Sequence, residues 1–485
     1  MNLPLSFVTR MDQYFLAHPE IPSAGFFDSF DQVSHKGIRL NRLKVLPEQT
    51  VTFLMQLDGA FSEVPWCRDG FYADSFLSGK DPFYHAGAYY IQEPSAMLPA
   101  EILGAKPGEM ILDLCAAPGG KTTRIGADMR GSGLLVANEI SEDRAKALLR
   151  NVELFGLTNT VITNETPETL QLAFPSFFDR ILIDAPCSGE GMFRRDKNAV
   201  KSWETYGPES CEKLQRSILA AAHAMLKPGG HLVYSTCTFN PGENEDMMSW
   251  FMKTYDDYHI AEHKEILGVT HVDHPLGTGM MRIWPHISSG DGHFCAHLVK
   301  STHAEVFPEP PRKCRGSKYE TANVYSVRMA KKSLSEFIGS MLAESVAERF
   351  HRRTEAGFYL HGDKIHLLSV SPDLFHQIRV VKMGDFPGDI KSTGKGTVFT
   401  PSHALALSLS YQDVKKDRRF SFRRDDDRLR RYLSGETIQL SEEESLSLKD
   451  RSYILVAAEE YPIGFAKREG MTLKNLYPKA WRYRH

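Results

Sequence analysis

The sequence contains no Cys-x-x-Cys pair. Its seven cysteines, at positions 67, 115, 187, 211, 237, 295 and 314, are odd in number and widely spaced, which excludes a disulfide framework and a zinc ribbon and reads as reduced, cytoplasmic thiols. No metal site is expected from them. There is no apolar run near the roughly 18 residues a membrane span requires. The first residues, Met-Asn-Leu-Pro-Leu-Ser-Phe, lack a basic segment ahead of an apolar one, so we expect a soluble, unexported protein with no membrane partner. Excess positive charge is also missing. A formal net charge of −3 over 485 residues gives no global sign of nucleic-acid binding, so any basic surface must be local. Neither Gly-x-Gly-x-x-Gly nor Gly-x-x-x-x-Gly-Lys-Ser/Thr occurs, which removes the dinucleotide fingerprint and the P-loop.

A chain of this length, with 42% hydrophobic residues, is expected to form two to four domains, each with its own core. The most informative stretch is 110–122. Ile111, Leu112 and Leu114 form the short apolar run of a strand buried on both faces; Pro118, Gly119 and Gly120 stop it, and Lys121, Thr122 and Thr123 begin a helix. The two glycines allow close backbone approach, and exposed N–H groups at the helix start suit a carboxylate or an oxygen-rich nucleotide. A second strand, 133–137, is followed by Glu139 and a helix from about Ser141. An acid at the end of a second strand, about 20 residues after a glycine turn, suits a ribose diol.

Residues 105–300 alternate strand and helix signals in a doubly wound α/β pattern. Arg180 to Asp184 open into Ala-Pro-Cys187-Ser-Gly-Glu-Gly191; after a helix around 211–225, Gly230 to Tyr234 open into Ser235-Thr-Cys237-Thr238. Segments 282–286 and 290–297 read as a terminal hairpin covering the sheet edge. Upstream, 1–90 reads as a small α/β unit with a strand at Ile38 to Asn41 and basic Arg39, Arg42 and Lys44, followed by a helix at 96–103 that Ser95 caps. Downstream, 309–332 is Pro-rich and then basic, a linker carrying Arg312, Lys313, Arg315, Lys318, Arg328, Lys331 and Lys332. Residues 333–375 suggest a helix and strands, and 376–485 a β-rich unit. There, Lys415, Lys416, Arg418, Arg419, Arg423, Arg424 and Arg428 to Arg431 interleave with Phe420, Phe422 and Tyr432. The domain limits expected are therefore 1–90, 91–300, 301–375 and 376–485.

Cys115, Cys211 and Cys295 read as small buried hydrophobes. Cys187 and Cys237 each follow a strand and sit in a polar loop, the setting of a reactive thiolate. If the three strands before these loops are neighbours, both thiols converge on the mouth that holds the ligand of the 115–121 turn.

The segments 113–122, 184–191 and 235–238, in that order, resemble the motifs of the Sun-type RNA cytosine-5 methyltransferases; the C-terminal part resembles that of the bacterial RsmF group, whose ends are PUA-like and bind RNA. The resemblance implies a Rossmann-like methyltransferase core, S-adenosylmethionine as cofactor, and RNA, 16S rRNA or the small ribosomal subunit, as partner. It implies cofactor contacts from Cys115, Ala116, Ala117, Pro118, Gly119, Gly120, Lys121, Glu139 and Asp184, with Cys237 as nucleophile and Cys187 as the helper that releases product. Asp184 is further read as an acid at N3 of the base. A third cofactor acid has no counterpart: Thr163-Asn164-Glu165 stands at its place. We expect a monomer. A non-enzymatic RNA-binding assembly factor, or methylation of tRNA or DNA cytosine, are the alternatives the residues leave open.

Overall fold

The computed structural model describes residues 3–73, 79–272, 275, 277, 279–308, 324–393 and 396–483. Its centre is a sheet of ten strands among the described residues. Strand Met110–Asp113 lies between Leu134–Asn138 and Phe178–Asp184; Thr160–Thr163 extends the first side and Leu226–Thr236 the second, all in parallel. Helices Gly120–Met129, Glu142–Leu154, Pro167–Ala173 and Lys197–Met225 make the crossovers. Because helices cover both faces, the strands are apolar without alternation, and Ile111, Leu112, Leu135, Val136, Ile181 and Leu182 are all fully buried. This is the Rossmann-like doubly wound core that the sequence implied. The hairpin is also present: His293–Lys300 runs antiparallel to Leu226–Thr236, and Met280–Ile283 lies beyond it.

The opposite edge holds a correction. Strand Val380–Lys382 runs antiparallel along Thr160–Thr163, and Phe375, Ile378 and Met383 pack in the same core as Leu112, Val136 and Ile181. The methyltransferase sheet therefore does not end at residue 300. An edge strand leaves unpaired N–H and C=O groups, and this return of the chain covers them. A separate four-stranded sheet, Phe358–His361, Lys364–Leu367, Asp385–Thr393 and Gly396–Pro401, straddles the expected limit at 375. From Val324 the expected linker is a helix, Val324–Met341, which carries Arg328, Lys331 and Lys332; Arg312, Lys313, Arg315 and Lys318 lie outside the described residues.

At the N-terminus a four-stranded antiparallel sheet contains strand Lys36–Leu40. Its basic residues face inward rather than toward solvent or phosphate. Arg42 Nε donates to Asp69 Oδ1 at 2.5 Å, and Lys44 Nζ donates to the carbonyls of Ala86 and Leu154 at 2.5 and 3.0 Å. Burial pulls Lys44 down to about 7. Ser95 does not cap a helix; it is buried and donates its hydroxyl to Glu93, and the α-helix begins at Leu98.

The C-terminal five-stranded sheet corrects the reading of an aromatic and basic surface. Strand Arg419–Phe422 alternates, so Phe420 and Phe422 point into the core with Tyr432. Arg428 pairs with Asp426 and Glu444, and Arg424 with Asp81 of the N-terminal domain. Rings so placed cannot stack on bases. Among the described residues no helix is long and apolar enough to cross a membrane, and no cluster of three or more His, Cys, Asp or Glu is arranged for a metal ion.

If residues 375–383 belong to the methyltransferase core, Phe375→Ala, at a fully buried position, should cost ~3–5 kcal/mol in urea unfolding. A chain cut after Ser301 should lose the cooperative transition of that sheet. An unchanged midpoint for Phe375→Ala would detach the segment from the core.

Candidate active site

Strand Met110–Asp113 delivers the glycine turn to the C-terminal edge of the sheet, where open α/β folds bind their ligands. Gly119 has φ 111° and stands at the N-cap of helix Gly120–Met129, a conformation that a side chain would strain. A Cβ on Gly120 would lie 3.2 Å from both Gln92 Nε2 and Tyr90 Cε1, so packing sets the second glycine. Beneath the turn lies Arg39, 1% exposed, which donates to Gly120 O at 2.6 Å, Gln92 Oε1 at 3.0 Å and Thr123 Oγ1 at 2.7 Å. Asp113 accepts from Thr122 Oγ1 at 2.7 Å, and burial pushes its carboxyl up to about 7.

Glu139 follows strand Leu134–Asn138 and is buried. Its Oε1 accepts from the Ser141 N–H at 2.9 Å, and its Oε2 lies 3.5 Å from an Arg144 nitrogen. Asn164, at the place of the missing acid, donates to the carbonyls of Glu139 and Ile140 at 2.7 and 2.9 Å. It is held by Arg379, whose carbonyl accepts from the Asn164 N–H at 2.9 Å and whose guanidinium donates to Asn164 Oδ1 at 3.1 Å. The position serves as a brace.

Asp184 pairs in register with Ser235 on the neighbouring strand. Three residues beyond the first and two beyond the second stand the thiols, and Cys187 Sγ lies 3.4 Å from Cys237 Sγ. The hydrogen bond to Cys237 pushes the Cys187 thiol well above its ordinary value, with burial and the nearby charges of Cys237 and Glu243 adding to it. Either sulfur could donate in this contact.

Asp184 accepts from Lys121 Nζ at 2.7 Å and from Ser235 Oγ at 2.9 Å. Burial opposes its ionisation, but chiefly the adjacent Lys121 ammonium holds the carboxyl well below the usual range. Asp184 thus stands at the junction of the two strands as a hydrogen-bond acceptor of Lys121 and Ser235.

Two cavities meet here. One, of about 590 Å³, is lined by Leu114, Glu139, Arg144, Pro167, Ile218 and the 184–189 loop. The other, of about 280 Å³, is lined by Ala116, Ala117, Pro118, Gly120, Lys121, Arg195, Asp291 and His293. Cys115, Asp184, Met192 and Cys237 line both, while Cys187 lines the larger cavity alone and Gly119 neither. Cys115 is thus a wall residue as well as a packing one; Cys295 is fully buried, and Cys211 lines neither cavity.

Several residues of the site were not singled out from sequence. Glu243, fully buried, accepts from Ser188 N and Oγ at 3.0 and 2.5 Å, from Gln215 Nε2 at 2.9 Å and from Asn240 Nδ2 at 3.2 Å, tying the two thiol loops together. Its signal was the polar run Asn240-Pro-Gly-Glu-Asn-Glu245 directly after the second thiol loop. Glu190, also fully buried, binds Arg10, Trp203 Nε1 at 2.9 Å and Phe239 N at 3.1 Å. Arg39 and His293 gave no local signal, because their partners are remote in sequence.

Three family models match the chain in order: the N-terminal domain of 16S rRNA methyltransferase RsmF over residues 3–94, 16S rRNA methyltransferase RsmB/F over 100–299, and the methyltransferase RsmF PUA domain over 419–483. The sequence is 30% identical to ribosomal RNA small subunit methyltransferase F of Erwinia tasmaniensis, over 98% of this chain and 96% of the relative. It is 32% identical to the protein of that name from Shewanella loihica, over 91% of this chain and 88% of the relative. Among solved structures, a methyltransferase homolog from Pyrococcus horikoshii superposes with a TM-score of 0.50 at 31% identity, covering 57% of this chain and 89% of that one. Matched from its N-terminal domain through the paired-thiol core to the PUA domain, the chain belongs to the RsmF family of 16S rRNA methyltransferases.

Proposed function

We propose that the protein methylates carbon 5 of a cytosine in 16S rRNA, with S-adenosylmethionine as cofactor, acting as a monomer in the cytoplasm. The observation that carries this reading is the pair of sulfurs 3.4 Å apart where the two cavities meet. Carbon 5 of cytosine is too weak a nucleophile to take a methyl group unaided, and a thiolate added at carbon 6 pushes electron density onto it. Cys237 forms that bond, the role that the resemblance of its Ser-Thr-Cys-Thr loop implies. Asp184, held by Lys121, accepts from the 4-amino group and orients that edge of the ring while electron density moves onto carbon 5. Cys187, once its own proton has passed to solvent, takes the carbon 5 proton, and the Cys237 Sγ–C6 bond breaks with its electron pair returning to Cys237.

The larger cavity would take the cofactor's adenosine: apolar Leu114, Pro167 and Ile218 would line the adenine, and the Glu139 carboxylate, already fixed by Ser141 and Arg144, would accept from the ribose diol. The methionine end is assigned to the turn from Cys115 to Lys121. When bound, the cofactor supplies an electrophilic methyl group on a sulfonium centre. The PUA domain supports RNA as the partner.

Glu139→Ala should weaken calorimetric cofactor affinity by ~1.5–3 kcal/mol, the size of a lost charge-assisted hydrogen bond; unchanged affinity would move the ribose elsewhere.

The thiols separate on a denaturing gel. Cys237→Ala should abolish methylation of 16S rRNA while cofactor and RNA still bind. Cys187→Ala should add to carbon 6 yet fail to eliminate, giving an RNA band retarded by covalent protein. Normal turnover in Cys237→Ala, with the trapped species there instead, would reverse the two roles.

A further inference from the structure

His293 begins the strand His293–Lys300 at the sheet edge, directly before Phe294, which pairs with Thr236. It is 4% exposed and lines the smaller cavity beside Asp184 and Cys237. Neither ring nitrogen has a hydrogen-bond partner among the described residues. The Asp184 Oδ1 atom lies 3.5 Å from Nε2, too far for a good hydrogen bond. A buried polar side chain is ordinarily paired, and an unpaired one facing a cavity calls for a ligand to complete it. Burial keeps the ring neutral, so it presents one N–H and one lone pair.

We propose that His293 reads the target base, donating a ring N–H to N3 of cytosine while Asp184 accepts from the neighbouring 4-amino group. This assignment rests on the cytosine-5 reading above. The two protein groups stand side by side, one acceptor and one donor, and the amino group and N3 of cytosine are adjacent with the complementary pattern. Uracil carries a carbonyl at position 4 and N–H at position 3. It would set a carbonyl against the Asp184 carboxylate and an N–H against the His293 N–H, leaving the buried His293 donor unpaired. The hydrogen bond to N3 also strengthens as Cys237 adds to carbon 6 and density moves onto the ring. His293 is thereby a specificity residue that touches the base.

The test uses the full chain and 16S rRNA transcribed with 5-fluorocytidine or with 5-fluorouridine. Cys237 Sγ bonds to carbon 6 and carbon 5 receives the methyl group, but fluorine stands where Cys187 would remove a proton, so the S–C6 bond persists and can be counted. The wild-type protein should trap the fluorocytidine RNA in strong preference. His293→Phe, which keeps a buried ring and removes the N–H, should narrow that preference by about tenfold or more, the worth of one buried hydrogen bond. Calorimetric cofactor affinity should stay at the wild-type value. His293→Gln, which restores an N–H donor, should recover most of the preference. An unchanged trapping ratio in His293→Phe would reduce His293 to packing, as would a Gln variant no better than Phe. Should the Phe variant not fold, His293→Met against His293→Gln makes the same comparison. If the wild-type protein traps neither RNA, the cytosine-5 reading itself fails, an outcome distinct from a lost preference.

Discussion

Two sulfurs from separate loops can meet at 3.4 Å only if the loops that carry them are held firmly together, and the site depends on that constraint. The parallel pairing of Phe178–Asp184 with Leu226–Thr236 sets Asp184 opposite Ser235, which brings Cys187 and Cys237 forward together. Register alone does not fix the loops that follow. Glu243 does so with four hydrogen bonds, to Ser188 twice and to Gln215 and Asn240, while Ser188 Oγ and Thr238 Oγ1 meet at 2.7 Å. Burial raises the Glu243 carboxyl, and these bonds offset that rise in part. A buried acid is tolerated there because the two loops it joins, and Gln215 on helix Lys197–Met225, supply every partner it needs.

The N-terminal domain is part of the same construction. Its aromatic residues Phe7, Phe26 and Phe30 pack against Phe193, Phe239 and Trp284 of the methyltransferase core, and Arg10 completes the shell of Glu190 in the first thiol loop. Farther along, Arg39 reaches from the N-terminal sheet to the glycine turn. Removing that domain would strip the turn of its buried guanidinium and the loop of its counter-charge. Of the basic residues that the 1–90 segment carries, Arg39 is thereby spent on holding the glycine turn.

How legible this was followed from the range of the interactions. The strand and turn at 110–122 and the two cysteine loops were readable because each is a local change from apolar run to polar loop, and Glu139 because its distance from the turn is fixed by one crossover. The parallel core and the terminal hairpin came from the same periodicity. Pairings across long separations were not readable: Arg39 with Gly120, Arg10 with Glu190, and strand Val380–Lys382 with Thr160–Thr163. Composition also misled where it could not show direction. Arg-Phe-Ser-Phe at 419–422 has the content of a stacking surface, but alternation in a paired strand turns both rings inward.

The missing third acid has a structural counterpart that depends on the C-terminal half. Asn164 supports the backbone under Glu139 through the carbonyls of Glu139 and Ile140, and Arg379, directly before the added edge strand, clamps Asn164 from both its main chain and its side chain. The Arg379 N–H further donates to Glu165 Oε1 at 2.7 Å. An aspartate at 164 could accept from Arg379 but could not donate to two carbonyls, so this chain gives up an acid at that position and gains a brace. The segment leading to the four-stranded sheet and the PUA domain therefore bears on the carboxylate assigned to the ribose. Displacement of that segment would reach the cofactor cavity through two residues, and a loss of the edge strand would reach it through the whole of Thr160–Thr163.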